Sequence, residues 1–233
     1  MCIRDSSARY GVTALAWVNQ IGSITADIDP KSVTLEQVEA QLTRCPDHHS
    51  ALKMEALITE VKKEGDTLGG VISAKACNVP AGWGDPVFDK LEADLAKACL
   101  SLPACKGFEI GSGFSGTTMR GSEHNDEWGI QKGQKGQQPQ LLTNHAGGTL
   151  AGISSGADIL IRCAFKPVST HFKSQNTVHM DGSIVTFKNE GRHDPCVLPR
   201  AVPLVEAALL LTLADHALRT EALQSGSLIN VGL

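Results

Sequence analysis

The chain has 233 residues, 42% of them hydrophobic and 20% charged, a balance able to bury the core of one large domain or two small ones. Its formal net charge of −4 excludes an overall basic field for nucleic acid or an anionic membrane, so an anion site must come from a local cluster of donors. The longest uninterrupted apolar run, AALLLTLA at 207–214, is too short to span a bilayer, and the opening MCIRDSSARYG lacks the apolar segment of a signal peptide.

In chain order, GVTALAWVNQIGSI reads as a strand ending near Gly22. TLEQVEAQLTR follows as a helix: Thr34 and Gln37 have capping-box spacing, and Leu35, Val38 and Leu42 share one face. RCPDHH brings Cys45, His48 and His49 together, but without a second pair at ligand spacing it reads as a polar turn. A better helix is expected from about Ser50 to Glu64, with Ala51, Met54, Ile58 and Val61 inward and Gly65 as its stop. GGVISAKACNV is strand-like. Asp85-Pro86 has the form of a cap and first turn, opening a helix with Phe88, Leu91, Leu95 and Ala98 inward. ACKGFEIGSGF returns to strand.

From Ser115 to Gly148 periodicity fails, and the polar QKGQKGQQPQ is expected to be a mobile loop, at about 128–142. ADILIRCAFK and IVTFK read as strands, with HMDG supplying the turn before the second. PLVEAALLLTLADHALR is helical and apolar almost all round, which predicts burial between layers. The mixed order, without a regular βαβ rhythm, predicts an α+β fold with antiparallel sheets and internal helices. Seven scattered cysteines fit reduced thiols packed as small hydrophobes better than a disulfide scaffold.

Three glycine-rich stretches, EGDTLGG, EIGSGFSGTTMRGSEHND and NHAGGTLAGISSG, could be tight turns or binding loops. GSGFSG fits G-x-G-x-x-G but is followed by no clear helix, so a dinucleotide site built on it lacks its context. KPVST ends a strand with a cation, a chain stop and two hydroxyls, a grip suited to a phosphate or a flavin edge. Arg120 and Arg192 add forked donors. In GRHDPCVLPRAVP, Asp194 beside Arg192 and His193 is either a catalytic carboxylate or a structural ion pair capping the helix near Pro203; the residues alone leave both open. His124 and His145 read as hydrogen-bonded loop histidines.

GDTLGG, VPAGWGDPVFDKLEADLAKA, PACKGFEIGSGF, RGSEHND, TNHAGG, GISSGADI, AFKPVST and GRHDPCVLPRAVP occur in an order and at spacings that closely resemble chorismate synthase, from about Tyr10 to Arg219. The resemblance implies a carbon–oxygen lyase of the shikimate pathway. Such an enzyme forms chorismate from 5-enolpyruvylshikimate-3-phosphate by 1,4-anti elimination of phosphate and depends on reduced FMN. It further implies a β-α-β sandwich, with helices packed between antiparallel sheets, a homotetramer, and a cytoplasmic location, or a plastid one where a transit peptide is present. An NADP-linked flavin reductase activity, found in some members, is left open. Carried over by position, Lys166, Pro167, Val168, Ser169 and Thr170 match the flavin-contacting segment, and Pro103, Ala104 and Ala151 match further flavin contacts, Ala151 standing where glycine is usual. Arg192 matches an arginine at the flavin and the substrate phosphate. Asp194 matches a carboxylate held near flavin N5 that assists removal of the C6 proton.

The family's Gly-Glu-Ser-His-Gly motif does not occur in these residues, nor does its second protonating histidine, and most of its substrate-binding arginines lie in the part not matched. RDSSAR resembles a further family signature, Gly-Arg-Ser-Ser-Ala-Arg-Glu, but carries Asp5 for the arginine and Tyr10 for the glutamate; residues 1–9 are read as a non-native start and given no role. The expectation is a piece of a chorismate synthase, residues 10–233 forming part of one domain, poorly soluble and inactive alone. The alternatives are a non-catalytic flavin- or phosphate-binding or partner-subunit protein and, more distantly, a nicotinamide-nucleotide dehydrogenase on GSGFSG.

Overall fold

The computed structural model describes residues 9–133 and 136–226, so the expected non-native start falls outside it except for Arg9. The chain runs β1 (Thr13–Ile21), β2 (Ile24–Thr25), α1 (Leu35–Glu39), α2 (His48–Lys63), β3 (Gly70–Cys77), α3 (Leu91–Leu100), β4 (Cys105–Ile110) and α4 (Gly121–His124). Then come three two-stranded units, β5 (Trp128–Gly133) with β6 (Gly136–Leu141), β7 (Thr149–Leu150) with β8 (Ile153–Ser154) and, after β9 (Ile159–Phe165), β10 (Gln175–Val178) with β11 (Ile184–Phe187). The last element is α5 (Leu198–Gly226).

Five strands form the main sheet in the order β2-β1-β3-β9-β4, each neighbouring pair antiparallel, which makes the fold α+β as expected. Side chains alternate across a strand, so Ile72, Ala74 and Ala76 of β3 and Ile159, Ile161, Cys163 and Phe165 of β9 share one face. That face packs on Leu91, Leu95 and Cys99 of α3 and on Val205, Leu209 and Leu213 of α5. The opposite face holds Trp17, covered by Val33 and Val38 from the α1 region. The described residues thus supply one large sheet and the helix layer of a sandwich.

α5 shows how composition and packing diverge. Leu204, Leu211 and Leu218, seven residues apart and so on one face, are exposed, whereas the opposite face is buried. Its all-round apolar character therefore meets only one covering layer among the described residues. By length and composition α5 would also suffice to cross a membrane, although Glu206 and Asp215 interrupt its apolar run; half of its most apolar stretch is buried inside the protein.

Several boundaries differ from expectation. Thr34 and Gln37 form the capping box in both directions, but α1 ends after little more than a turn and Leu42 is 86% exposed. Arg44, at φ 59°, turns the chain away so that its carbonyl can accept the Val18 N–H (2.9 Å). Asp85 does not cap a helix. Asp85 and Asp89 exchange backbone hydrogen bonds (2.9 and 3.0 Å), and the tight loop so closed throws Phe88 outward, 92% exposed; the helix starts at Leu91. The segment expected as a loop at 128–142 pairs as β5 and β6, because a glycine- and glutamine-rich stretch can still exchange backbone hydrogen bonds without an apolar pattern; residues 134–135 lie outside the description.

Leu209 is fully buried between α5 and the sheet. Leu209→Ala is expected to cost about 3 kcal/mol through lost transfer energy and a cavity; chemical unfolding monitored by circular dichroism measures this.

Candidate functional site

The GDTLGG loop, between α2 and β3, is the hub of the site. α2 ends at Lys63, and Gly65, with a φ of 72°, reverses the chain. Gly65, Thr67 and Leu68 then bind two segments distant in sequence. Phe172 N–H donates to Gly65 O (2.8 Å), the Thr67 hydroxyl donates to Val168 O (2.7 Å), and Leu68 N–H donates to Pro195 O (2.7 Å). A Cβ on Gly69 would collide with the Phe165 carbonyl and lie 2.8 Å from Pro167 N and 2.9 Å from Lys166 C. Only glycine admits that contact. Lys166 N–H in turn donates to Ala104 O (2.9 Å). Pro103 and Ala104, the 166–170 segment and the Asp194 corner are thereby gathered at one end of the main sheet.

Between the end of α2, residues 170–172 and the Asp194 corner lies a cleft of about 130 Å³ lined by Lys62, Asp66, Thr67, Thr170, His193 and Asp194, among others. Asp194 Oδ2 pairs with Arg200 Nη1 (2.7 Å), in the first turn of α5, so the carboxylate meets a side chain and not a helix N–H. Asp194 Oδ1 has no partner among the described residues. His193 Nε2 lies 3.1 Å from Glu190 O, and its ring is 5.7 Å from that of Phe172. Lys173 Nζ donates to Asp66 Oδ2 (2.6 Å), and this bond holds the Asp66 carboxyl below its ordinary range and the Lys173 ammonium above its own. The side chains of Lys62, Lys166, Ser169, Thr170 and Arg192 make no hydrogen bond or ion pair among the described residues. Lys62 and Thr170 line the cleft and are free donors for an anion there, whereas Lys166, Ser169 and Arg192 lie on the adjoining segments.

Two expectations are placed elsewhere. Ala151 sits in the β7–β8 turn, where Gly152 O accepts from Leu91 N–H (2.9 Å) at the start of α3. The ten residues of α3 span about 15 Å, so Ala151 lies at the far end of that helix from Ala104. Its φ of 52° explains why glycine suits the position. The histidines lie off the far end of β4, about 20 Å from Ala104 by strand length. There Ser112 Oγ is 2.8 Å from His124 Nε2, and the rings of His124 and His145 are 5.7 Å apart. GSGFSG itself winds into a 3-10 turn at Gly113–Thr118 beside an antiparallel sheet, not into a dinucleotide-binding turn. Sequence reading missed Thr67 and Arg200. Thr67 was hidden in a stretch read for its glycines. Arg200, six residues beyond Asp194, follows no spacing rule until α5 is seen to start at Leu198.

The family model described as chorismate synthase matches residues 4–218. The chain belongs to the chorismate synthase family. The chorismate synthase of Synechococcus elongatus (strain ATCC 33912 / PCC 7942 / FACHB-805) is 56% identical over 212 residues, 91% of this chain and 58% of the relative. That of Synechococcus sp. (strain JA-2-3B'a(2-13)) is 54% identical over 219 residues, 94% of this chain and 57% of the relative. A solved chorismate synthase superposes with a TM-score of 0.72 at 28% identity, covering 91% of this chain and 59% of that one. The chain spans just under three-fifths of the length of these chorismate synthases.

Asp126 ties the base of the β5–β6 hairpin to residues 143–146, beside the histidines. Burial alone would raise its pKa, but the Thr143 hydroxyl and the Ala146 and His145 amides outweigh burial and hold the carboxyl below its ordinary range. A depressed folded-state pKa stabilises above the unfolded value, about 4, and that contribution is lost as pH falls through the folded value. Hydrogen exchange of the His145 and Ala146 amides should therefore be slow at neutral pH and lose protection below about pH 4. Asp126→Ala should remove that protection at every pH, at a cost of about 1–3 kcal/mol.

Proposed function

We propose that the chain carries the flavin-binding edge and the Asp194 corner of a chorismate synthase acting on 5-enolpyruvylshikimate-3-phosphate with reduced FMN. The observation that carries this reading is the gathering of the 166–170 segment, with Ala104 bonded to Lys166, and of the Asp194 corner on the GDTLGG loop, with the free donors Lys62 and Thr170 lining a cleft beside them.

The donor set suits a flavin phosphate edge: Lys166 and Arg192 offer charge, Ser169 and Thr170 offer hydroxyls, and Pro103, Ala104, Pro167 and Val168 offer a close backbone wall. The cleft, at about 130 Å³, admits only part of such a ligand. The rest of the wall is assigned to the length of the relatives that this chain does not match and, as in the family's homotetramer, to neighbouring subunits. Ala151, at the other end of α3, fits contact with a separate part of the ligand or with a neighbour's.

Reduced FMN, when bound, supplies transient electron density as phosphate leaves the substrate. The residues of this chain do the rest of the work proposed here. Arg192 grips the phosphate. Arg200 fixes Asp194 Oδ2, which leaves Oδ1 as the atom to accept a proton from the ring carbon. The two protonating histidines expected of the family have no counterpart among these residues, and His124, His145 and His193 do not replace them: the first two lie at the wrong end of β4, and His193 Nε2 is engaged with Glu190 O. The chain by itself is therefore assigned flavin binding without turnover. The six described cysteines are free thiols, in keeping with a reducing compartment such as the cytoplasm.

FMN fluorescence titration tests the first half. Binding is expected, with Arg192→Ala and Lys166→Ala each weakening it about tenfold, the loss of one charge-assisted contact. Binding unaffected by either change would refute the assignment. For the second half, chorismate formation under anaerobic reducing conditions should fall below that of a full-length cyanobacterial relative by at least roughly 10²–10⁴. A comparable rate would overturn the claim of inactivity.

A further inference from the structure

We propose that a cavity on the outer face of the main sheet, the face turned away from α3 and α5, binds a free α-amino acid with an apolar side chain. One cross-strand row runs over this face. Trp17 of β1 lies opposite Ser73 of β3, Ser73 opposite Arg162 of β9, and Arg162 opposite Glu109 of β4. Residues 26–30, after β2, and 111–115, after β4, flank the row and enclose with it a cavity of about 330 Å³. That volume is in the range of small-molecule pockets. The cavity shares no lining residue with the cleft beside the GDTLGG loop.

The polar groups that line it are unspent. Ser73 is only 6% exposed, yet its hydroxyl has no hydrogen-bond partner among the described residues and is not sealed from solvent, so it opens on the cavity. A nearly buried hydroxyl left unpaired is costly, and a ligand oxygen there would satisfy it. The Asn19 amide and the Asp27 carboxylate also line the cavity and make no side-chain hydrogen bond or ion pair among the described residues. Arg162 engages Glu109 through Nη2 and keeps the rest of its fork for another partner.

The charges select the ligand class. Glu109 already offsets Arg162, and Asp27 adds a second carboxylate, so a simple anion would meet net negative surroundings. A ligand that carries both charges meets a complement for each. Its carboxylate is assigned to the Arg162 fork and the Ser73 hydroxyl, which are adjacent in the row, and its ammonium to Asp27. Asn19 has both a donor and an acceptor and suits either end. Ile28 and Leu160 supply an apolar wall for the side chain.

The test uses the full chain and L-leucine as probe. Calorimetric titration gives the affinity, and the indole N–H signal of Trp17, assigned from Trp17→Phe, gives the place, because Trp17 lines the cavity. L-Leucine should bind saturably and shift that signal. Isocaproate, which lacks the ammonium, and L-leucinamide, which lacks the carboxylate, should each bind at least about tenfold more weakly. L-Leucine should lose at least about tenfold in affinity for Asp27→Asn and for Arg162→Gln. Arg162→Gln also releases Glu109; should that variant fail to fold, Asp27→Asn, at an exposed position, decides alone. No saturable binding at millimolar L-leucine would overturn the proposal, as would binding undiminished in Asp27→Asn. Isocaproate binding as tightly as L-leucine would overturn the amino-acid assignment, and a shift confined to the Trp83 or Trp128 signal would overturn the location.

Discussion

The close approach at Gly69 and Gly70 is the constraint on which the site depends. Gly69 lets the GDTLGG loop pass against the Phe165–Pro167 backbone, and a Cβ on Gly70 would collide with the Gln20 carbonyl and crowd Leu198. With no side chain at either position, β1, the end of β9 and the start of α5 reach one point. The Thr67 and Leu68 hydrogen bonds then lock Val168 and Pro195 to the same loop. A methyl group there would separate the donors of the 166–170 segment from Asp194, although neither segment would change its own sequence.

Seen from that hub, the roles of the neighbouring elements are mechanical. β9 is paired on both sides, by β3 and β4, so Lys166 emerges from an interior strand of the sheet. α5 begins immediately after the Asp194 corner and is anchored by Leu198, Val205, Leu209 and Leu213 in the core. Arg200 thus reaches Asp194 from a rigid helix, not from a loop, which is what a carboxylate needs if its free oxygen is to point consistently.

Among the described residues the helix layer is covered by a sheet on one side only. The matched portion is under three-fifths of the relatives, and α5 exposes Leu204, Leu211 and Leu218 on the face away from the sheet. An all-round apolar helix is ordinarily covered on both sides. The cleft is small, about 130 Å³.

Much of this was determined by the amino-acid sequence alone. Strands β1, β3 and β9, the cap and stop of α2, and the α+β class follow from side-chain period and from terminal residues, which are local properties. The segments that form the site were also identifiable, since their motifs are contiguous. Tertiary structure decided the rest. Phe88 was read as core by its spacing, but a loop closed by backbone bonds between Asp85 and Asp89 turned it to solvent. The QKGQKGQQPQ stretch pairs as a hairpin because its backbone groups need partners whatever its side chains are. The pairing of Asp194 with Arg200, the wedge at Gly69 and the separation of Ala151 from Ala104 each depend on where residues of different elements lie in space. No local periodicity encodes such contacts, because they depend on where whole strands and helices come to rest against one another.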